Sequence, residues 1–259
     1  MKALDVAIRA AKEAGRIIVE RYRSDIKVQH KGRGNIVTDV DLLVERETIA
    51  FLREEYPTHG ILSEESVKEE SSSGYMWIVD PLDGTRNYAS GVPMFSVNLA
   101  LVLDDEVILG ITYDPLRDEL FWAQKGGGAF LNDAPISVSS NETVKASLIG
   151  SDMGYDDEKA RRALELVLAL WPGMQSMRIM GSAALGLAYA ACGRLDLYFH
   201  HSLAPWDIVS GILLVKEAGG VITDRDGGPA GIHSSGVIAS NKAIHADFLK
   251  LTEGLAWRS

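Results

Sequence analysis

Met76-Trp77-Ile78-Val79 followed by Asp80-Pro81-Leu82-Asp83-Gly84-Thr85 sets a short apolar run against a segment rich in oxygen ligands. A run of this kind, closed by a proline and a glycine, predicts a buried strand that ends in a turn. The two carboxylates, three residues apart at the mouth of that turn, can converge on one point. Pro81 fixes its own φ and lacks an N–H, while Gly84 lets the backbone come close to a ligand. Thr85 adds a hydroxyl, and the amides after Asp83 face an anion if a helix or nest starts there. Carboxylate oxygens, the Leu82 carbonyl and a hydroxyl are the donors that a hard cation such as Mg²⁺ accepts. The plainer alternative is a strand-end turn in which the aspartates only cap backbone amides.

The rest of the chain is ordinary in bulk. Its 259 residues, 46% hydrophobic and 24% charged, suit a globular protein with one large core or two modest lobes. Lys and Arg total 26 against 36 Asp and Glu, a net charge of −10. That balance argues against nucleic acid as a partner, since phosphate backbones demand basic surfaces. It also makes an anionic substrate hard to attract unless a cation sits in the site. Cys192 is the only cysteine, so no intrachain disulfide forms and a reducing, cytoplasmic setting is expected. Neither a signal-peptide core nor a run of membrane-spanning length is apparent, so no membrane partner is expected.

Outward from the central segment, the apolar stripe Leu4, Ala7, Ile8, Ala11, Ala14, Ile17, Ile18 and Tyr22 predicts a helix over 3–22. Lys27–Asn35 reads as a basic, glycine-bearing loop. A second helix starts near Thr38, with Asp39 and Asp41 in its first turn. Asp39-Val40-Asp41 also evokes an aspartyl-phosphate nucleophile, but the immediate helical pattern after it argues against that chemistry. Ile61-Leu62 reads as a strand that delivers Glu64 and Glu65 at its end, beside a neighbouring strand that carries Asp80. The polar Lys68–Gly74 stretch reads as a surface excursion. Residues 95–103, 106–113, 120–123 and 128–131 form an antiparallel meander. The Gly126-Gly127-Gly128 run lacks the context of a dinucleotide loop and reads as a turn.

A composition shift near Ser139-Ser140-Asn141 suggests two lobes, an α+β lobe over 1–140 and an α/β lobe over 141–259. Ser147–Gly150 and Leu195–Phe199 read as strands and Asp156–Trp171 as a helix, while Ser182 caps an alanine-rich helix. Pro205 and Asp207 open an apolar helix closed by Gly219-Gly220. Asp207 can be explained as a dipole acid alone. Taken together, however, Glu64, Asp80, Asp83 and Asp207 all fall at element ends along one lobe interface. Four acids at one place repel unless divalent cations neutralise them, and two or three Mg²⁺ ions would do so.

The motifs Asp80-Pro-Leu-Asp-Gly-Thr85 with Asn87-Tyr88, Trp206-Asp-Ile-Val-Ser-Gly211, Glu217-Ala-Gly-Gly220, Leu62-Ser-Glu-Glu65 and Val37-Thr-Asp-Val-Asp41 resemble the signatures of the inositol monophosphatase family. Its wider superfamily includes fructose-1,6-bisphosphatases and Li⁺-sensitive nucleotide phosphatases. The resemblance implies a layered α/β/α/β/α fold, with an active site between the lobes, and Mg²⁺-dependent hydrolysis of a phosphate monoester. It implies that Glu64, Asp80, Asp83, Asp207 and the Leu82 carbonyl hold metal, with Asp41 supporting a weaker site through water. Thr85, paired with Asp41 and close to Glu64, would orient and deprotonate water. Asp83, Gly84 and Thr85 would meet the phosphate end of the substrate, and Ser182 and Ala183 its hydroxyls. Lys31 would sense phosphate or metal occupancy from a mobile loop. His200 stands where inositol-preferring members carry an acid, which points to a broader polyol, sugar or bisphosphate substrate unless that histidine is merely solvated. A homodimer is implied by relatives. The same scaffold also serves fructose bisphosphate, nucleotide 3′-phosphate and histidinol phosphate, or a regulatory protein-binding role.

Overall fold

The computed structural model describes residues 2–65 and 68–258. In chain order they form α1 (Lys2–Arg21), β1 (Val28–His30), β2 (Ile36–Thr38), α2 (Asp39–Glu55), β3 (Gly60–Ser63), β4 (Lys68–Glu69), β5 (Tyr75–Asp83), α3 (Thr85–Ala89), β6 (Ser96–Leu103), β7 (Glu106–Asp114), β8 (Glu119–Gln124), β9 (Gly128–Leu131) and β10 (Ala134–Pro135). The second half continues with β11 (Leu148–Ser151), α4 (Asp157–Leu170), β12 (Ser176–Ile179), α5 (Ala183–Ala191), β13 (Leu197–His200), α6 (Pro205–Glu217), β14 (Val221–Thr223), β15 (Val237–Ser240) and α7 (Lys242–Leu251). None of the helices among the described residues is long and apolar enough to cross a membrane.

Two sheets and three helical layers stack as α/β/α/β/α. The eight-stranded sheet has the order β10-β9-β8-β7-β6-β5-β3-β4, and the five-stranded sheet β12-β11-β13-β15-β14. Alternation along each strand decides which layer a side chain meets. On β5, Trp77 and Val79 pack with Ala7, Ala10 and Leu52 of α1 and α2, whereas Ile78 packs with Ile208 and Ile212 of α6. On β13, Tyr198 faces that same middle layer, while Leu197 and Phe199 pack with Leu166 of α4 and Phe248 of α7. Apart from Tyr189, α5 is built of alanine, leucine and glycine. A Cβ on Gly186 would stand 2.2 Å from the Tyr198 ring, so only glycine lets α5 settle on β13.

Several local expectations are corrected. The Lys27–Asn35 stretch is not all loop, because Val28–His30 pairs antiparallel with Ile36–Thr38 and leaves only Lys31–Asn35 as the turn. Lys68–Glu69 is an edge strand on β3 rather than an excursion, and Ser71, Ser72 and Ser73 hydroxyls all reach the Thr58 carbonyl. Asp207 is the third helical residue of α6, with Pro205 at the first. The meander, the Gly126–Gly128 turn and the alanine-rich helix form as expected, and Glu217 carboxylate oxygens accept from the Gly126 and Gly128 amides at 2.8 and 2.9 Å.

Candidate active site

The strand β5 does not stop at Asp80. It continues through Asp83, and the ladder to β6 jumps from Asp80↔Asn98 to Asp83↔Ser96, three steps on one side against two on the other. This is a β-bulge, a place where proline is tolerated inside a sheet. It also reverses the parity of the strand. In a regular strand, residues three apart point to opposite faces; with one extra residue between them, Asp80 and Asp83 both face the middle layer. Leu82, by contrast, is turned back to pack with Val40 and Val44 of α2.

Other elements bring their residues to the same cleft, a hollow of about 350 Å³. Ser63 pairs in parallel with Val79, so Glu64 emerges beside Asp80 as the strand-end argument expected. The first turn of α6 aims Asp207 inward, and its Oδ2 accepts from the Ala204 amide at 2.7 Å. Oxygens of Asp80, Asp83 and Asp207 lie within 4.8 Å of one another. Glu64 lines the cleft but is not part of that tight trio. Gly84, at φ +88°, has the Met94 and Gly181 carbonyls 3.0 and 3.1 Å from where a Cβ would be. Both the conformation and the space require glycine there.

The electrostatics are those of an unneutralised acidic nest. Burial, followed by the charges of Glu64, Asp83 and Asp207, pushes the Asp80 carboxyl well above its usual range. Burial and then Asp83 raise Asp207 in the same way. Asp83 is also raised by burial, although the Ser182 hydroxyl and the Ala183 and Ala184 amides, each at 3.2 Å, stabilise its charge. Glu64 rises to about 7 through burial and the adjacent Glu65, with Lys31 opposing. One oxygen of Asp80 accepts from the Leu82 amide at 3.0 Å, but its Oδ2 is buried without a partner among the described residues. An orphaned, buried carboxylate oxygen among like charges fits a hard divalent cation.

Asp41 and Thr85 form a second unit. The Thr85 hydroxyl lies 2.9 Å from Asp41 Oδ1 and 3.0 Å from the Leu82 carbonyl. The other oxygen of Asp41 accepts from the Thr38 amide at 2.9 Å and from the Thr38 hydroxyl, closing a capping box at the start of α2. Burial raises the Asp41 carboxyl, against the lowering effect of these hydrogen bonds. Asp39 lies apart, bound to Arg21 at 3.0 Å and to the Lys27 amide at 2.9 Å, which leaves it no role as a nucleophile in the cleft.

The inositol monophosphatase family model matches residues 2–255. The chain belongs to the inositol monophosphatase family. A Haemophilus influenzae protein described as Nus factor SuhB is 39% identical over 250 residues, covering 95% of this chain and 94% of its own. An inositol monophosphatase of Dictyostelium discoideum is 38% identical over 257 residues, covering 96% and 94%. The solved Thermotoga maritima IMPase superposes with a TM-score of 0.91 at 34% identity, covering 98% of both chains. Membership makes this chain a phosphatase.

Several of the residues expected to meet substrate have partners of their own in this structure. Ser182 and Ala183 line the cleft, yet the hydroxyl and amide donors go to Asp83, so they orient a carboxylate. Lys31 reaches Glu65 at 2.5 Å and Glu64 at 3.5 Å instead of opening onto the cleft. His200 is not solvated: it is 3% exposed, stacks on His201 at 4.8 Å, and is pushed down to about 3 by burial. Its Nδ1 accepts from the Ser202 amide at 3.0 Å, which leaves the proton of the neutral ring on Nε2. Sequence reasoning missed Asp152, whose Oδ2 accepts from the Tyr198 hydroxyl at 2.8 Å and whose carboxyl burial pushes up to about 7. Its signal was the one that found Glu64, an acid directly after an apolar strand. Arg86, Tyr155 and Asn35 also line the cleft and were not singled out.

Proposed function

We propose that this phosphatase hydrolyses a small phosphorylated polyol or sugar with the help of two or three Mg²⁺ ions. The observation that carries the reading is the convergence of Asp80, Asp83 and Asp207 around an unpartnered Asp80 oxygen. These three, with Glu64 and the Leu82 carbonyl, would hold the cations, and Asp41 would support a further one through water. When bound, such ions make an attached water more acidic and stabilise a leaving alkoxide.

The chain's own residues do the rest. The amides of Gly84 and Thr85, with Asp83 beside them, receive the phosphate end of the substrate. Thr85, with its hydroxyl within reach of Asp41 Oδ1 and of the Leu82 carbonyl, donates to Asp41 when a cation occupies the carbonyl and keeps its lone pairs free to accept a proton from an attacking water. Buried Asp41 then takes the proton that Thr85 passes on. His200 supplies a neutral N–H to a ring or chain hydroxyl where an acid would select inositol. Lys31 answers charge changes at Glu64 and Glu65, and Ser182 and Ala183 hold Asp83 in place. With this reading go the division into lobes 1–140 and 141–259 with the site between them, a homodimer, and the cytoplasmic setting expected from a single cysteine.

The Haemophilus relative's description as a Nus factor supports a second reading, action through a macromolecular partner on the same fold. A phosphate-release panel separates the two. Inositol 1-phosphate, fructose 1,6-bisphosphate, adenosine 3′,5′-bisphosphate and histidinol phosphate are each incubated with MgCl₂ or with a chelator. We expect release from at least one polyol or sugar phosphate, abolished by the chelator. Silence across the panel with MgCl₂ would leave only the partner reading.

A further inference from the structure

Carboxylates outnumber cations in this chain by 36 to 26, and its arginines are mostly claimed. Arg9, Arg16, Arg21, Arg33, Arg46, Arg117, Arg161 and Arg194 all contact carboxylates. Arg86 is an exception. It follows Thr85 directly on α3 and lines the active-site cleft, yet among the described residues its guanidinium has no carboxylate partner. Instead it lies 4.8 Å above the ring of Tyr155. A Cβ on Gly34 would stand 3.4 Å from Arg86 Nη1 and 3.9 Å from the Tyr155 ring. Three segments, the β1–β2 turn, α3 and the loop before α4, therefore meet around one guanidinium.

The direction of the side chain matters as much as its freedom. Thr85 is buried and bonded inward to Asp41, whereas Arg86 is exposed and Tyr155 is 52% exposed. The guanidinium thus sits at the mouth of the cleft and the acids on its floor. Stacking on an aromatic face fixes the plane of an arginine and leaves its N–H edge for a planar or tetrahedral anion. Lys159 extends the basic character of this wall, with its Nζ 3.2 Å from the hydroxyl of Ser202, another cleft residue.

We infer that Arg86, held on Tyr155, is a specificity-determining residue that binds a second anionic group of the substrate, so that the preferred substrates are phosphate monoesters carrying another phosphate or a carboxylate. The inference rests on the phosphatase reading of the cleft and names the substrate class for it. The scissile phosphate goes to the floor and the second anion to the mouth. A charge-assisted contact of this kind is worth about tenfold or more in discrimination, and added salt weakens it because the rim is exposed.

The test uses a matched pair, fructose 1-phosphate and fructose 1,6-bisphosphate, which differ by one phosphate. The wild-type protein with MgCl₂ is expected to show a higher kcat/KM for the bisphosphate, through KM, and a smaller preference as KCl is raised. Arg86→Gln, checked for an unchanged melting temperature, is expected to lower the ratio of the two kcat/KM values by about tenfold. A ratio that Arg86→Gln leaves unchanged, including an equal loss on both substrates, overturns the inference while the phosphatase reading stands. Equal falls would mean that Arg86 touches the scissile phosphate. No release from either substrate by the wild type also overturns the inference, and release from inositol 1-phosphate under the same conditions then shows that the phosphatase reading itself stands.

Discussion

Two buried polar clusters in this molecule are built on opposite terms. At one end of the second sheet, His245 on α7 is enclosed between Thr223 and Ser240, with Nε2 3.0 Å from the first hydroxyl and Nδ1 3.2 Å from the second. Thr223 donates to the Asp224 carbonyl at 2.9 Å, so its oxygen is free to accept from Nε2–H. The Ser240 hydroxyl, which reaches both Nδ1 and the Asn241 carbonyl at 3.2 Å, is the donor that Nδ1 of the neutral ring accepts from, so both ring nitrogens have a partner. In the cleft, Asp80, Asp83 and Asp207 face one another, and one oxygen of Asp80 has none. A satisfied cluster specifies a fold, while an unsatisfied one marks a place where something else completes the structure.

The sharpest way to break this contrast is to neutralise one acid. Asp83→Asn or Asp207→Asn should lower Mg²⁺-dependent turnover by at least about a hundredfold, the scale on which even supporting groups of metal sites act. The metal-free variants should fold normally and melt no lower at pH 8 than the metal-free wild type, because each loses a repulsive charge. Wild-type-like turnover in either variant, read by phosphate release, would show that the trio is an ornament of the fold.

A smaller effect separates the clusters by pH. The folded-state carboxyls of Asp80, Asp83 and Asp207 are raised above 3.8, and those of Glu64, another of the proposed metal ligands, and of Asp152 rise to about 7. The folded protein therefore holds protons that the unfolded chain releases. Their contribution to stability is fully present below about 3.8 and is lost as pH climbs through the folded values. Mg²⁺ favours the ionised, folded form. The increase in Tm produced by MgCl₂ should accordingly grow between about pH 4 and pH 7, by about 2–4 °C for each kcal/mol in a chain of this size. Scanning calorimetry across that range checks it, and a flat increment would place bound Mg²⁺ away from the titrating acids.

How far the sequence reached follows the same physical divide. Apolar periodicity made α1, the meander and the alanine-rich α5 legible, because those patterns report burial directly. Glu64 was legible because an acid directly after an apolar strand has few structural uses. The bulge that turns Asp80 and Asp83 to one face was not, since parity depends on where β6 skips a residue. Beyond Gly220, β14 and β15 have three and four residues and α7 only ten, too short to show a period before their distant partners are known. His200 and His201 look like a polar strand end in sequence, and only the packing of the loop around Gly154 onto both rings reveals that they are buried.

His245 gives the smallest effect and the most direct control. Burial, reinforced by the Arg258 charge, pushes it down to about 4 from 6.5. Because the folded value is depressed, its contribution to stability is present above about 6.5 and is lost as pH falls through about 4. Its slope is opposite to that of the cleft acids, so it is best read with saturating MgCl₂. His245→Ala should lower stability at pH 7 by about 1–3 kcal/mol as Thr223 and Ser240 lose their partner, and should flatten the fall from pH 7 to pH 4 in urea titrations. The rise in Tm caused by MgCl₂ should stay as in the wild type. A variant that kept the full acid slope would mean that the slope comes from other groups, first among them His200, His201 and His59, which burial also depresses.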